Sequence, residues 1–200
     1  MTREPREHRE LEELMTAAVK SATEGFARRA EAEALVDIAY TTVDSPFGPL
    51  LAAVTDRGLV TLVIDGDDEA HLDRLAREVS PRILEAPARI DGLRRELDEY
   101  FDGRRREFDT PVDWTLVRGF SLKVLEATAA IPYGMVSTYK DMAIQAGSPK
   151  AARAAGNALG SNPIPIVVPC HRVLHSGGGL GGYGGGLPMK EFLLHLEGAL

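Results

Sequence analysis

The spacing of apolar residues changes along the chain, and each spacing predicts a different kind of element. Between residues 35 and 64, apolar residues alternate with polar ones or form short runs, separated by the turns Asp44 to Gly48 and Asp56 to Gly58. This pattern is typical of three strands in an antiparallel meander. Helical spacing follows over about 68–79 and again over about 88–102, where one face carries Ile90, Leu93, Leu97, Tyr100 and Phe101. Residues 35–110 are therefore predicted to form a small amino-terminal domain of sheet and helices.

The segment before this domain, residues 1–34, is rich in Glu, Arg and Ala and carries few apolar side chains. Those few have helical spacing, but they offer little surface with which to hold a helix against a core. We expect a charged helical extension that is solvated and mobile, and the sequence assigns it no function.

Residues 111–200 are predicted to form a second, mainly helical domain, which follows a prolyl linker at 109–113. Its first helix is marked by Phe120, Val124, Leu125 and Thr128. Thr138, with Asp141 three residues later, resembles a capping box and starts a short helix that Gly147 ends. Ser148 as the N-cap and Pro149 as the first helical residue then open another helix, which runs to about residue 159. The chain is thus predicted to be an α/β (α+β) protein.

The last two of these helices form a helix-turn-helix pattern, in which the second helix can enter a groove of DNA. That helix offers one long side chain, Arg153, among the small residues Ala151, Ala152, Ala154 and Gly156. A helix of this kind can approach a narrow groove closely. Most pairs of short helices joined by a tight turn are simply packed together, so the ordinary alternative stays open.

Composition narrows the class of protein. The chain of 200 residues is 44% hydrophobic and 26% charged, which is typical of a folded globular protein. Cys170 is its single cysteine, which excludes an internal disulfide and a zinc site built from cysteines. We therefore expect no metal and a reduced, cytoplasmic setting. No apolar stretch has the length of a signal peptide or of a membrane span, so we expect no membrane contact.

The net charge of -7 argues, as an average, against nucleic-acid binding, but the charge is unevenly divided. Residues 1–111 hold 16 Lys and Arg against 25 Asp and Glu, whereas residues 112–200 hold 7 against 5. The acidic excess belongs to the front half, and a DNA-binding surface in the back half remains open.

Cys170 lies beside His171 at the end of an apolar, strand-like run over residues 164–168. A cysteine reacts as its thiolate, so a neighbouring imidazole that takes the proton, directly or through water, makes it useful at neutral pH. Glu197 falls at the end of the last predicted helix, where its carboxylate could orient His171 in a Cys-His-Glu relay. The alternatives are a buried structural thiol and an ordinary surface carboxylate.

Residues 177–186 form a segment with eight glycines and Tyr183 as the single aromatic residue. The segment lacks the Lys-Ser or Lys-Thr pair that a phosphate-binding loop requires. We interpret it as a pocket wall, in which glycine backbone approaches a flat ligand and Tyr183 lies beside that ligand.

Together these motifs resemble those of the O6-alkylguanine-DNA alkyltransferases, also called methylated-DNA-protein-cysteine methyltransferases. The resemblance runs from about Val36 to the C-terminus. It is carried by Asp44 to Leu50, Ile131 to Gly134, Ser137 to Tyr139, Ala146 to Arg153, Asn162 to Pro163, Pro169 to Arg172, Gly182 to Gly186 and Lys190 to Glu197. It implies DNA repair by stoichiometric transfer of an alkyl group from O6-alkylguanine to Cys170, once per molecule and without a cofactor. It leaves O4-alkylthymine open as a second substrate.

The resemblance also implies roles for individual residues. His171 removes the thiol proton, Glu197 supports the imidazole, and Tyr139 donates a hydrogen bond to the departing base. Asn162 ties the turn before the active site, and Lys190 lies at the side of the pocket. The base pocket is lined by Val173, Tyr183 and Gly184. The DNA-binding residues are Arg153, which fills the gap left by an extruded nucleotide, together with Tyr139, Ala151, Ala152, Ala154 and Gly156.

The partner implied by the resemblance is double-stranded DNA that carries alkylated bases. Extrusion gives access to an alkyl carbon that stacking would shield, and minor-groove contact with little base reading suits a search of all sequences. We expect binding through the minor groove, largely independent of sequence, by a monomer.

Two other functions remain open. A non-catalytic binder of the same fold would flip alkylated bases and mark them for other repair proteins, but such relatives lack the reactive cysteine. A Cys-His-Glu thiol hydrolase would regenerate its thiolate on a small ester or amide, and it would leave Arg153 without a role.

Overall fold

A small, mainly antiparallel sheet lies in the amino-terminal half of the computed structural model, which describes residues 15, 21–23, 25–26, 29–30, 32–64 and 68–200. The predicted meander is confirmed: β1 (Ile38–Val43), β2 (Leu50–Thr55) and β3 (Gly58–Ile64) pair antiparallel in chain order. A fourth strand, β4 (Ile83–Glu85), pairs parallel with β1 and gives the order β3-β2-β1-β4. The sequence pattern does not predict β4, because three residues are too few to show alternation.

Two helices complete this half, as the spacing predicts. They are α1 (Asp68–Glu78) and α2 (Asp91–Phe101), and a 3-10 turn at Pro87–Ile90 precedes α2. The predicted face of α2 buries Leu93, Leu97 and Tyr100. One face of the sheet packs with α1 in a small apolar cluster of Ile38, Ala53, Val60 and Leu75.

The segment predicted as a linker is hydrogen-bonded to the edge of the sheet. Leu59 in β3 donates its N–H to the Pro111 carbonyl over 2.8 Å, and the N–H of Asp113 donates to the Leu59 carbonyl over 2.8 Å. Gly58 has a φ of +130°, and a Cβ there would lie 2.1 Å from the Pro111 carbonyl oxygen. Only glycine therefore allows the chain to return so close to the sheet.

The carboxyl-terminal half is mainly helical, as predicted. Its elements are α3 (Gly119–Ala129), β5 (Ser137–Thr138), α4 (Tyr139–Gln145), α5 (Ala152–Gly160), β6 (Val173–Leu174) and α6 (Gly186–Leu196), and β5 pairs parallel with β6. The predicted cap of α4 is confirmed, because the N–H of Asp141 donates to the Thr138 hydroxyl over 3.1 Å. Gly147, with a φ of +79°, follows the end of α4.

The predicted start of the second helix of the helix-turn-helix pattern is wrong. The N–H of Ala151 donates to the Ser148 carbonyl over 2.9 Å, which closes a separate turn. The helix α5 then begins at Ala152, with Ala151 as an N-cap that makes no side-chain hydrogen bond. Ser148 and Pro149 therefore shape the turn between α4 and α5 and do not begin the helix.

One apolar core runs through both halves. It includes Leu62 from the sheet, Leu97 from α2, Val124 from α3 and Leu193 from α6. Since α2 packs into the same core as α3 and α6, residues of the amino-terminal half can contribute directly to a site in the carboxyl-terminal half.

The amino-terminal extension is described at a few positions, and those between 15 and 32 are helical. Most of these described positions are exposed, as the prediction of a solvated segment requires, but Ala30 is buried. For the other residues of 1–34, the prediction of a solvated and mobile extension lies outside the described residues. Among the helices that the structure describes, none has the length and apolar character needed to cross a bilayer.

Candidate active site

The segment before Cys170 is a series of turns, so the prediction of a strand-like run over 164–168 is wrong. Prolines at 163 and 165 cannot donate to a strand ladder. The side chain of Asn162 supplies hydrogen bonds to the backbone of this segment instead. Its amide donates to the Val168 carbonyl over 2.9 Å, and its Oδ1 accepts from the N–H of Ile164 over 3.0 Å. Asn162 thus ties the turn that delivers Cys170.

Strand β3 holds the same turn from the amino-terminal half. The N–H of Leu62 donates to the Pro163 carbonyl over 2.8 Å, and the Thr61 hydroxyl donates to the same oxygen over 3.0 Å. Ile166 adopts a φ of +73°, which is unusual for a β-branched residue. This tight path ends in a 3-10 turn at Cys170–Arg172, which sets three consecutive functional groups on one turn.

Cys170 is buried and borders a cavity of about 640 Å³. Burial raises the pKa of its thiol, and this effect outweighs the hydrogen bond from Asn162 and the positive charge of Lys190, which both lower it. The thiol is therefore neutral in the resting protein, and a base is needed to form the nucleophile.

His171, which follows Cys170 directly, is the candidate base of the site. Its Nε2 lies 2.9 Å from Oε1 of Glu197, and both side chains are fully buried. Burial lowers the pKa of His171 despite the neighbouring carboxylate, so the imidazole is neutral at neutral pH. A neutral imidazole that donates from Nε2 carries its lone pair on Nδ1, and this atom is buried without a hydrogen-bond partner.

Glu197, at the end of α6, receives more donors than the sequence indicated. Arg172 donates from Nε to Oε2 over 2.8 Å and from Nη2 to Oε1 over 2.9 Å, and the Tyr100 hydroxyl donates to Oε1 over 2.6 Å. Burial alone would raise the pKa of Glu197, but hydrogen bonds from His171, Arg172 and Tyr100 outweigh it and lower the pKa to about 2. The carboxylate stays ionised and fixes the imidazole.

Sequence reasoning missed both of these additional donors. Arg172 stands inside the Pro-Cys-His-Arg motif, and its position next to His171 was the available signal. Tyr100 was placed correctly on the buried face of α2, but its hydroxyl bonds to a residue 97 positions away, and no local pattern reports such a contact.

Tyr139, the first residue of α4, reaches the same cavity. Its ring centroid lies 5.0 Å from that of His175, and Gly156 and Gly181 give it room on other sides. Burial and the neighbouring Cys170 raise the pKa of Tyr139, so its hydroxyl stays protonated and can donate.

The cavity brings together half of the predicted site residues. Its walls are Tyr139, Ala152, Arg153, Gly156, Asn157, Leu159, Gly160, Cys170, His175, Gly182, Tyr183 and Gly184. The helix α5 and the glycine-rich segment both line the cavity that Cys170 borders, as the interpretation of that segment as a pocket wall predicts. Asn157 and His175 are wall residues that the sequence did not single out.

Other predicted residues lie away from the cavity wall. Val173 is fully buried in β6, and Ala154 is exposed on α5, outside the cavity. Lys190 is also fully buried and donates from Nζ to the carbonyls of Val173 and Leu180. Burial lowers its pKa to about 8. Lys190 thus fastens the glycine-rich segment to β6.

Within the part of the chain that the structure describes, no three side chains of the His, Cys, Asp and Glu types group as a metal site.

The fold and the site together match one class of protein. Residues 119–199 match the family model of the 6-O-methylguanine DNA methyltransferase DNA binding domain, and residues 38–114 match that of the 6-O-methylguanine DNA methyltransferase ribonuclease-like domain. The chain belongs to the O6-alkylguanine-DNA alkyltransferase family.

Individual relatives agree with this assignment. The methylated-DNA–protein-cysteine methyltransferase of Mycolicibacterium paratuberculosis is 43% identical over 162 residues, which span 80% of this chain and 92% of that protein. The protein of the same name from Methanosarcina barkeri is 39% identical over 164 residues, 79% of this chain and 96% of that protein. Among solved structures, Mycobacterium tuberculosis OGT in complex with DNA is 40% identical with a TM-score of 0.67, covering 80% of this chain and 92% of that one.

Proposed function

We propose that this protein repairs DNA by transferring the alkyl group of O6-alkylguanine to Cys170. The observation that carries the proposal is the cavity, which exposes the thiol of Cys170 to the same space as Arg153 of α5 and the hydroxyl-bearing ring of Tyr139. The names of the relatives, and the DNA complex of the M. tuberculosis protein, support DNA as the partner.

The residues around the thiol supply each proton transfer. Nδ1 of His171 accepts the thiol proton through a bridging water, while Glu197 holds the ring through Nε2. The sulfur then attacks the alkyl carbon, a C–S bond forms, and the bond from that carbon to O6 breaks. The departing base takes a proton from the Tyr139 hydroxyl and leaves as neutral guanine, and the proton held by His171 restores the tyrosine. The product is a thioether on Cys170.

The transfer requires no cofactor and occurs once per molecule. A thioether is chemically stable, so the alkyl group stays on Cys170. The protein is therefore consumed in the reaction, and the number of lesions that can be repaired equals the number of protein molecules.

DNA binding is proposed to use α5 in the minor groove. Arg153 is exposed on this helix and borders the cavity, so it can occupy the space vacated by an extruded base while that base enters the cavity. Its small neighbours, Ala152 and Gly156, let the helix approach closely. Because these groups read few base edges, binding is largely independent of sequence, and one chain suffices as a monomer. Because the proposed substrate is DNA, the protein acts in the cellular compartment that contains the DNA.

The decisive experiment measures the intact mass of the protein, with peptide mapping, after incubation with a duplex that contains one O6-methylguanine. We expect one added methyl group on Cys170, saturating at one per protein. Cys170→Ala should bind the duplex and stay unmodified. An unmodified wild-type protein that still binds would identify a damage marker, and repeated turnover on a small ester would identify a thiol hydrolase.

A further inference from the structure

Tyr100 connects the two halves of the molecule at the reaction site. It belongs to α2, within the part matched by the ribonuclease-like family model, while Glu197 belongs to the part matched by the DNA-binding model. Tyr100 is completely buried, and its hydroxyl lies 2.6 Å from Oε1 of Glu197. An oxygen pair this close, in the core, constitutes a strong hydrogen bond to a charged acceptor.

The direction of this hydrogen bond is determined by the two groups. Burial and the negative charge of Glu197 raise the pKa of Tyr100, so the phenol keeps its proton. The carboxylate of Glu197 is ionised and can only accept. Tyr100 is therefore a permanent donor to Oε1.

Oε1 of Glu197 accepts hydrogen bonds from three donors, so the hydroxyl of Tyr100 affects the charge on the oxygen that also binds His171. The other two are Nε2 of His171 and Nη2 of Arg172, each at 2.9 Å. Oε2 is satisfied separately by Nε of Arg172 at 2.8 Å and by the N–H of Gly134 at 3.4 Å. The contact of Tyr100 thus falls on the very oxygen that holds the catalytic imidazole.

We propose that Tyr100 is a positioning residue of the alkyl-transfer reaction, through which the amino-terminal domain holds Glu197 and limits the pull of that carboxylate on the His171 proton. The proposal rests on the proposed function, because His171 is assigned there as the base. The amino-terminal domain then contributes a hydrogen bond to the Cys-His-Glu relay, in addition to its apolar contacts in the shared core.

Loss of the Tyr100 hydroxyl has a defined electrostatic consequence. Oε1 would keep two donors in place of three, and its negative charge would act more strongly on the imidazole. His171 would then bind a proton at higher pH, so less of it would be in the neutral form that accepts the thiol proton. The ionisable groups around the pair of His171 and Glu197, from every element packed against it, are Tyr100, Tyr133, Cys170, Arg172, Tyr183 and Lys190.

The chain offers a matched control for Tyr100→Phe. Tyr133 packs its ring against that of Tyr100, with centroids 6.3 Å apart, and its hydroxyl donates to the Leu196 carbonyl over 2.9 Å. Tyr133→Phe therefore removes a tyrosine hydroxyl and its hydrogen bond from the same neighbourhood, one residue before Glu197, without touching the carboxylate.

The experiment measures the single-turnover rate of Cys170 alkylation as a function of pH for the wild type and both variants. A free O6-alkylguanine base, O6-benzylguanine, serves as the substrate beside the methylated duplex, so that changes in DNA binding are separated from chemistry. In Tyr100→Phe we expect the acid limb of the rate profile to move up by about one pH unit, which is about a tenfold loss of rate well below the limb. Tyr133→Phe should keep the limb of the wild type.

A second modification guards against a general packing defect. Replacing Tyr100 by a fluorinated tyrosine keeps the shape of the side chain and makes its hydroxyl a stronger hydrogen-bond donor. The acid limb of the rate profile should then move in the opposite direction, to lower pH. Wild-type limbs in both modified proteins, or an equal shift in Tyr133→Phe, would overturn the proposal. A wild-type protein that leaves Cys170 unalkylated would refute the proposed function instead, and this is measured first.

Discussion

Gly181 is the position at which one added methyl group should disturb the site most selectively. A Cβ at this residue would lie 2.3 Å from the Tyr139 hydroxyl oxygen, whereas ordinary contacts begin near 3.4 Å. The tyrosine must therefore withdraw by about 1 Å, and a misplacement of this size at a reacting group can cost about 100-fold in rate. The ring cannot simply rotate away, since His175 and Gly156 pack beside it. We expect Gly181→Ala to slow alkyl transfer on the order of 10- to 100-fold.

Gly178 provides the matched control in the same segment. Both glycines have a left-handed backbone, with φ of +72° at Gly181 and +82° at Gly178, and alanine in this conformation costs roughly 1–2 kcal/mol. A Cβ at Gly178 meets nothing within 4 Å. Gly178→Ala should thus lower the melting temperature about as much as Gly181→Ala while keeping the wild-type rate in a single-turnover assay on methylated duplex. Equal rates for the two variants would refute the reasoning.

Two further predictions concern the buried carboxylate. Arg172→Met removes both guanidinium donors from Glu197 and leaves its charge buried, so urea unfolding should show a loss of about 3–5 kcal/mol, and a loss below about 1 kcal/mol would contradict a structural ion pair. The low pKa of Glu197 also predicts that the folded protein is sensitive to acid. This pKa is about 2 in the folded protein against an ordinary 4.5. The stabilisation from the ionised carboxylate is therefore complete above about pH 4.5 and is lost as the pH falls toward 2. Melting temperatures should show this acid-dependent loss in the wild type and not in Glu197→Gln; parallel curves would argue against it.

Local patterns were sufficient where an element is determined by its own residues. The meander, the buried face of α2 and the cap formed by Thr138 and Asp141 depend on alternation, helical spacing and a single side-chain bond, and all three are as predicted. The interpretation of the glycine-rich segment as a pocket wall also agrees with the structure, in which Gly182, Tyr183 and Gly184 line a cavity.

The predictions failed where distant residues compete with local preference. The apolar run before Cys170 has the composition of a strand, but its prolines and the hydrogen bonds of the Asn162 side chain make it a series of turns. Strand β3 then donates a hydrogen bond to the first of these turns. Ser148 and Pro149 have the sequence of a helix start, but the chain closes a separate turn first. The donors to Glu197 from Tyr100 and Arg172 depend on the packing of both halves, which no window of sequence contains.

The resting states of Cys170 and His171 suit a protein that uses its cysteine once. Burial raises the pKa of the thiol and lowers that of the imidazole, so the two groups are neutral together at neutral pH. A thiol hydrolase needs a thiolate in every cycle, whereas here the positive charge of Lys190 does not offset the effect of burial on the pKa of the thiol. In the proposed reaction the thiolate forms when an alkylated base enters the cavity, because Sγ then faces an electrophilic carbon while His171 takes the proton. Since oxidants react with thiolates far more readily than with buried thiols, the same arrangement preserves the residue until that base arrives.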